Sequence, residues 1–481
     1  MKANSRFLYL LFLIIVILSL SFIVLLNNND IHYELITKSS KNIEETSEQI
    51  NKYRINTSLN DIILKDLKKP LDPQDFNDIR NKEELHTYLW RAIFGEYEKD
   101  PKAYRNKLIE KSKFLNERNI KNIKWNEKLL ATLHHTLYPW LYGYRYQNIG
   151  EIIESSHGKG IVISVGDYQF KYALSTIDAL RNIIKCDLPI EVFYNGNEDL
   201  SKENRDILLT YDDIYVSDLK KYFDDKILKN SGWDSKPFCI LASRFEEVIL
   251  MDADVAYLRD PAELFDEEGY QRTGTLYFMD RTLSPEPNAG TEWLNSWMIN
   301  PLPETTNLRF LNGTSTSEME SSTVLMHKTK VLLGLLATCK LNEQKIRDDV
   351  VYNMFLGDKE TFWIGFDMAR QSYYMEPTPC VFIGKVDENN QICGHIGHVI
   401  NGKLYYWNGH IVVDKYAEQL EYVDYETYSY DYIGSEWNGD LSCMIINDDK
   451  NPPHKMSNSE MNIYRRILAR EKLKHFIIPE E

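Results

Sequence analysis

Residues 160–255 predict an α/β fold: a doubly wound, mostly parallel sheet with flanking helices. Three observations predict it. Short apolar runs recur at Ile161–Val165, Pro189–Tyr194, Ile214–Val216 and Val248–Met251. Stretches with helical spacing separate them, and such alternation builds a parallel sheet. No Gly-x-Gly-x-x-Gly follows the first run and no Gly-x-x-x-x-Gly-Lys-Ser/Thr occurs, so dinucleotide and P-loop folds are not indicated.

From the N-terminus, residues 1–6 read as a short cytosolic tail. Phe7–Leu26 is a 20-residue stretch without charge, long enough to span a bilayer. Lys2 and Arg6 precede it, which leaves the tail in the cytosol and the rest of the chain in a lumen. No small-residue cleavage site follows at Asn27–Asp30, so the segment reads as a signal anchor, not a cleaved peptide. Residues 27–85 are polar and poor in aromatics, as a luminal stem would be. Residues 86–154 carry helical patterns and read as a helical region packed on the main domain. In the strand–helix region, Tyr172–Ile184 places Ala173, Ile177, Leu180 and Ile184 on one helical face. Short helices are expected near 201–209 and from Pro237 to Phe245. The main domain is bounded at 155–435, with 436–481 as a C-terminal extension.

The run Val248–Met251 ends in Asp252-Ala253-Asp254. In an extended chain, carboxylates two residues apart share a face. Ligands of open α/β sheets bind at this carboxyl edge. Two carboxylates there suit a hard divalent cation, which could hold a diphosphate.

With 72 acidic and 56 basic residues the net charge is −16, which argues against a general nucleic-acid binder. The sequons Asn56-Thr57-Ser58 and Asn312-Gly313-Thr314 fit a luminal chain. Six cysteines without a Cys-x-x-Cys pair permit disulfides and offer no zinc motif. Pairing is not deducible from sequence, and Cys380 with Cys393 is the most local choice.

Several blocks coincide in order: Ser231-Gly232-Trp233-Asp234-Ser235-Lys236-Pro237-Phe238, Met251–Ala256, Gly269–Phe278, Glu320-Ser321-Ser322-Thr323-Val324, Gly357–Trp363 and Trp407-Asn408-Gly409. Over about residues 155–415 the chain closely resembles the fungal Golgi α-1,3-mannosyltransferase family (glycosyltransferase family 71, yeast Mnn1-like). The resemblance implies a Golgi type II membrane protein with a GT-A-like domain. It also implies GDP-mannose as donor, Mn²⁺ as metal and a glycan of glycoproteins or mannan as acceptor. Ser322 departs from the family's usual glycine and narrows the space expected near the donor sugar. An α-1,2-mannosyl- or other hexosyltransferase, and a non-catalytic luminal glycan-binding protein, are the competing readings.

The resemblance assigns roles. Asp252 and Asp254 hold metal and diphosphate. His398 is the expected third ligand, by likeness to glycogenin-type enzymes with a late histidine, a turn glycine and then tryptophan; His395 falls on the opposite strand face. Ser164, Lys236, Lys359 and Trp407 are expected donor contacts. Glu320, Asp358 and Glu360 are the candidate catalytic carboxylates, although a helix dipole alone also explains acids at a helix start. An α-mannoside made from an α-linked donor means retention, which requires charge stabilisation at the anomeric carbon.

Overall fold

Strands β1 (Lys159–Ser164), β2 (Ile190–Tyr194), β3 (Ile214–Asp218) and β4 (Glu247–Met251) run parallel, in the order β3-β2-β1-β4. The computed structural model describes residues 59–116, 123–283, 288–413, 415, 421–423, 425–439 and 442–477. Two units separate, Met1–Ile63 and Leu64–Glu481. Of the first, residues 59–63 are described and helical. No helix among the described residues is long and apolar enough to cross a membrane, and the anchor expected at Phe7–Leu26 lies outside them.

The second unit carries the predicted sheet, with one difference. β5 (Val255–Tyr257) leaves it, and β6 (Thr275–Met279) and β7 (Met319–His327) complete it as β4-β7-β6. β7 runs antiparallel to both neighbours, so the sheet is mixed. Ile161–Ile163 and Val248–Met251 are fully or almost fully buried, as expected of central strands covered on both faces. Register pairs Ile163 with Met251, which brings Ser164 level with Asp252 at one edge. The winding direction reverses between β1 and β4, the usual location of a ligand crevice.

Helices α1 (Phe76–Phe94), α2 (Pro101–Lys111) and α3 (Trp125–Leu137) form the helical region. Asp75 and Asp100 cap the first two by accepting from Asp78 N and Ala103 N. α1 buries Phe76, Ile79, Trp90 and Phe94, and so includes residues that composition assigns to the stem. α4 (Phe170–Ala179) continues through a π turn to Ile184, over the range the periodicity predicts. α5 (Lys236–Ala242), α6 (Leu332–Leu341) and α7 (Lys359–Met368) lie together on the sheet. α6 is buried on every side, and α7 approaches it closely: a Cβ at Gly365 would stand 2.6 Å from Thr338 N.

The second sheet was not predicted. β8 (Val381–Val386), β9 (Gln391–Ile400), β10 (Lys403–Asn408), β11 (Thr427–Tyr430), β12 (Glu436–Trp437), β13 (Cys443–Ile445) and β14 (His454–Lys455) pair as β12-β13-β9-β8-β11-β14. β10 joins β9 to β5. Asp252–Asp254 is therefore the joint between the two sheets. β13 sets Cys443 directly opposite Cys393, and these two form a disulfide. The local pairing of Cys393 with Cys380 is thus incorrect; Cys380 is a buried free thiol. Helix α8 (Asn458–Ile477) returns to α4, where Arg470 forks onto Asp178 at 2.6 and 2.7 Å.

Candidate active site

Asp252 follows β4 directly, and its N–H donates to Ser322 O at 2.8 Å, which fixes it beside β7. Its Oδ1 lies 2.7 Å from Lys236 Nζ. Burial pushes the Asp252 carboxyl up, Lys236 opposes this, and Asp254 adds to it. Asp254 is buried, and its Oδ2 meets Lys415 Nζ at 2.5 Å. The Asp254 carbonyl accepts from Gly409 and His410, at the end of β10.

Lys236 opens α5 and is buried at the centre of the cluster. Besides Asp252 it donates to Ser321 O at 3.2 Å and Ser321 Oγ at 3.3 Å, and stands 3.8 Å from Asp358 Oδ1. Burial alone would lower this ammonium; Asp252 and Asp358 reverse that and hold it above the ordinary lysine value. Asp358 sits at the head of α7. Burial raises its carboxyl, and its Oδ2 has no hydrogen-bond partner. Such a buried, unpartnered carboxylate oxygen is a ready acceptor for a hydroxyl.

Glu320 opens β7. Ser322 N (2.9 Å), Ser322 Oγ (2.6 Å) and Asn408 Nδ2 (2.9 Å) fix its two oxygens. Ser322 thus orients this carboxylate. Ser164 lies across the crevice, with Oγ 3.1 Å from Ser235 Oγ. Four carboxylates (Asp252, Asp254, Glu320, Asp358) face two ammonium groups (Lys236, Lys415), leaving two formal negative charges.

Of the remaining expected residues, His398 borders the cluster and Trp407, Lys359 and Glu360 make other contacts. His398 is buried on β9 between Phe278 and Tyr406, its Nε2 3.4 Å from Glu320 Oε2. Among the described residues no group of three or more His, Cys, Asp or Glu stands at metal-holding geometry, and His398 Nε2, buried without a hydrogen-bond partner, faces Glu320. His395, on the other face of β9, is the imidazole that Asp254 influences, and its Nε2–H donates to Val412 O at 2.7 Å. Trp407 is fully buried and donates to His410 O, bracing β10 instead of lining the crevice. Lys359 pairs with Asp280 at 2.6 Å. Both Glu360 oxygens are committed, to Glu318 N (2.9 Å) and Trp363 Nε1 (2.6 Å). Sequence reasoning missed Lys415, an isolated lysine without periodic context, and gave Asn408 no role.

The cluster suits a divalent cation in its charge deficit and its hard oxygen donors. A cation of the Mg²⁺ or Mn²⁺ class takes one or two protein carboxylates and completes its shell with phosphate and water. Asp252 and Asp254 meet that requirement, and His398 lies beside the cluster at Glu320.

Residues 158–399 match the model of a family described as "Mannosyltransferase putative". The chain is 24% identical over 324 residues to alpha-1,3-mannosyltransferase MNT2 of Saccharomyces cerevisiae, covering 58% of this chain and 56% of that one. It is 26% identical over 306 residues to alpha-1,3-mannosyltransferase MNN1 of the same organism, covering 51% and 39%. The chain spans about half the length of the curated relatives it matches. Among solved structures it is similar to the mannosyltransferase Ktr4p from S. cerevisiae, at TM-score 0.29 and 10% identity, covering 65% of this chain and 81% of that one.

Proposed function

The chain belongs to this mannosyltransferase family, the fungal Mnn1-like group, and we propose that it is a retaining α-mannosyltransferase with GDP-mannose as donor. The acceptor is a mannose-terminated N- or O-linked glycan or mannan, and the linkage formed is α-1,3. The observation that carries this reading is the joint between the sheets. Asp252 and Asp254 stand at the carboxyl edge beside the β1–β4 crevice, with Lys236 and the unpartnered oxygen of Asp358 next to them.

Asp252 and Asp254 would hold a divalent cation, Mn²⁺ in this reading. Such a cation neutralises the departing diphosphate as a Lewis acid. Ser164, level with Asp252, faces the nucleoside. Lys236, held charged by its carboxylates, adds a second cation for the diphosphate. Asp358 accepts a hydroxyl of the donor mannose through Oδ2. Glu320, oriented by three donors, stabilises positive charge at the anomeric carbon. Both retaining routes need such a carboxylate at the reacting face.

The reading places the chain in the Golgi membrane as a single-pass type II protein. The charge-free stretch Phe7–Leu26 behind Lys2 and Arg6 supports that topology.

The test is nucleotide release from GDP-mannose, UDP-glucose and UDP-galactose with Mn²⁺, with and without a mannose-terminated oligosaccharide. The expected result is acceptor-dependent GDP release from GDP-mannose and an α-1,3-linked product by NMR. Release from a UDP-sugar alone, or none, would overturn the reading.

A further inference from the structure

Trp233 is 57% exposed, in the middle of a buried and polar neighbourhood. It opens the single turn Trp233–Ser235 that leads into α5, three residues before Lys236. Its six-membered ring lies against Gly357. A Cβ at Gly357 would stand 2.9 Å from Trp233 Cε3 and 3.4 Å from Cδ2. Gly357 also has φ +70°, so both conformation and space favour glycine there. The turn beneath the indole is fixed. Asp234, buried, accepts from Arg347 Nη1 at 2.8 Å and from Ser231 N. Leu356, 72% exposed, adjoins Gly357 in the chain.

One exposed ring is ordinary by itself; here it is held rigid on backbone beside the polar cluster. Beside a polar site it offers a rigid apolar face of the kind that packs on the C–H face of a pyranose, with little ordering entropy lost. The ring also connects to the reaction site by direct contacts. Trp233 touches Gly357; Asp358 follows Gly357; Lys236 bridges Asp358 and Asp252.

We propose that Trp233, with Leu356, is the platform on which the acceptor's mannose ring stacks. This rests on the function proposed above. The diphosphate is held at the joint after β4, and the nucleoside lies toward Ser164 at the end of β1. Trp233 rests instead on Gly357 at the head of α7, next to Asp358, the residue to which that reading gives the donor mannose.

The test is steady-state kinetics of the full chain, Trp233→Ala and Trp233→Phe, with each substrate varied in turn. Trp233→Ala raises acceptor KM about tenfold and leaves donor KM unchanged. Trp233→Phe recovers most of the loss. Leu356→Ser gives a smaller rise and carries the test if Trp233→Ala melts early. An unchanged acceptor KM, or a rise in donor KM instead, overturns the platform. Failure of the wild type to use GDP-mannose defeats the functional reading and is distinct. In that case, direct binding of an α-mannosyl disaccharide decides, by saturation-transfer NMR. Loss on Trp233→Ala upholds the platform; equal binding by both proteins rejects it.

Discussion

Lys236 Nζ stands 2.7 Å from Asp252 Oδ1 and 3.8 Å from Asp358 Oδ1, so one ammonium links the strand-end pair to the carboxylate at the head of α7. The heads of two helices, α5 at Lys236 and α7 at Asp358, and the joint between the sheets at Asp252 meet at this atom.

Lys236→Met keeps the packed stem and removes the charge. Asp252 and Asp358 are already raised by burial, and without the lysine they rise further. Their native values then lie above the unfolded ones, so the native state takes up protons as pH falls. The variant is therefore destabilised by about 3–5 kcal/mol at pH 8, and by clearly less at pH 5. Urea denaturation at the two pH values checks this. A loss that is equal at both, or larger at pH 5, would contradict it.

Asp358→Asn should separate stability from activity. The orphaned Oδ2 of a buried, raised carboxyl costs folding energy. The amide removes the charge, so the melting temperature without substrate rises or stays level. Turnover falls about 10²-fold or more, because the donor-sugar contact is lost. A destabilised but active variant would remove Asp358 from the site.

Glu360 is fully buried and its carboxyl is pushed up to about 7, chiefly by burial, against an ordinary value of 4.5. A raised acid costs stability as pH climbs through that window. Relative to Glu360→Gln, the wild type should gain stability as pH falls from about 7 to 4.5, on the order of 3 kcal/mol. Parallel melting curves for the two proteins across that range would show instead that Glu360 does not titrate there.

Cys443→Ser opens the link to Cys393 across a sequence separation of 50. The chain-entropy term is about 4 kcal/mol, and measured losses of this kind are about 2–4 kcal/mol. Non-reducing peptide mapping should recover the Cys393–Cys443 pair and free thiols at Cys186, Cys239, Cys339 and Cys380.

The first sheet was legible because its evidence is local. Val248–Met251 is apolar, the carboxylates follow at once, and a parallel strand announces its own edge. The late segment was not. Whether His395 or His398 faces Asp254 depends on the register of β9 against β10 and β8, where a shift of one residue exchanges the faces. Trp407 reads as a binding tryptophan by motif, yet its strand is central to the second sheet and closes over it. Glu360 follows the cluster residue Asp358 by two, which on a helix turns it toward Glu318 and Trp363. The Cys393–Cys443 pair and Lys415 come from chain returns that no local pattern encodes.

The central claim is that Asp252 and Asp254 anchor the metal-held diphosphate. Asp254→Asn preserves shape and removes one charge from the prospective cation shell. The most direct measurement is acceptor-dependent GDP release from GDP-mannose at saturating Mn²⁺, wild type against Asp254→Asn, with circular dichroism confirming that both are folded. The account predicts a loss of about 10²–10³ in turnover, or about 3–4 kcal/mol of transition-state stabilisation. It also predicts loss of the Mn²⁺-dependent rise in melting temperature that the wild type shows. Near-wild-type turnover by the folded variant would contradict it.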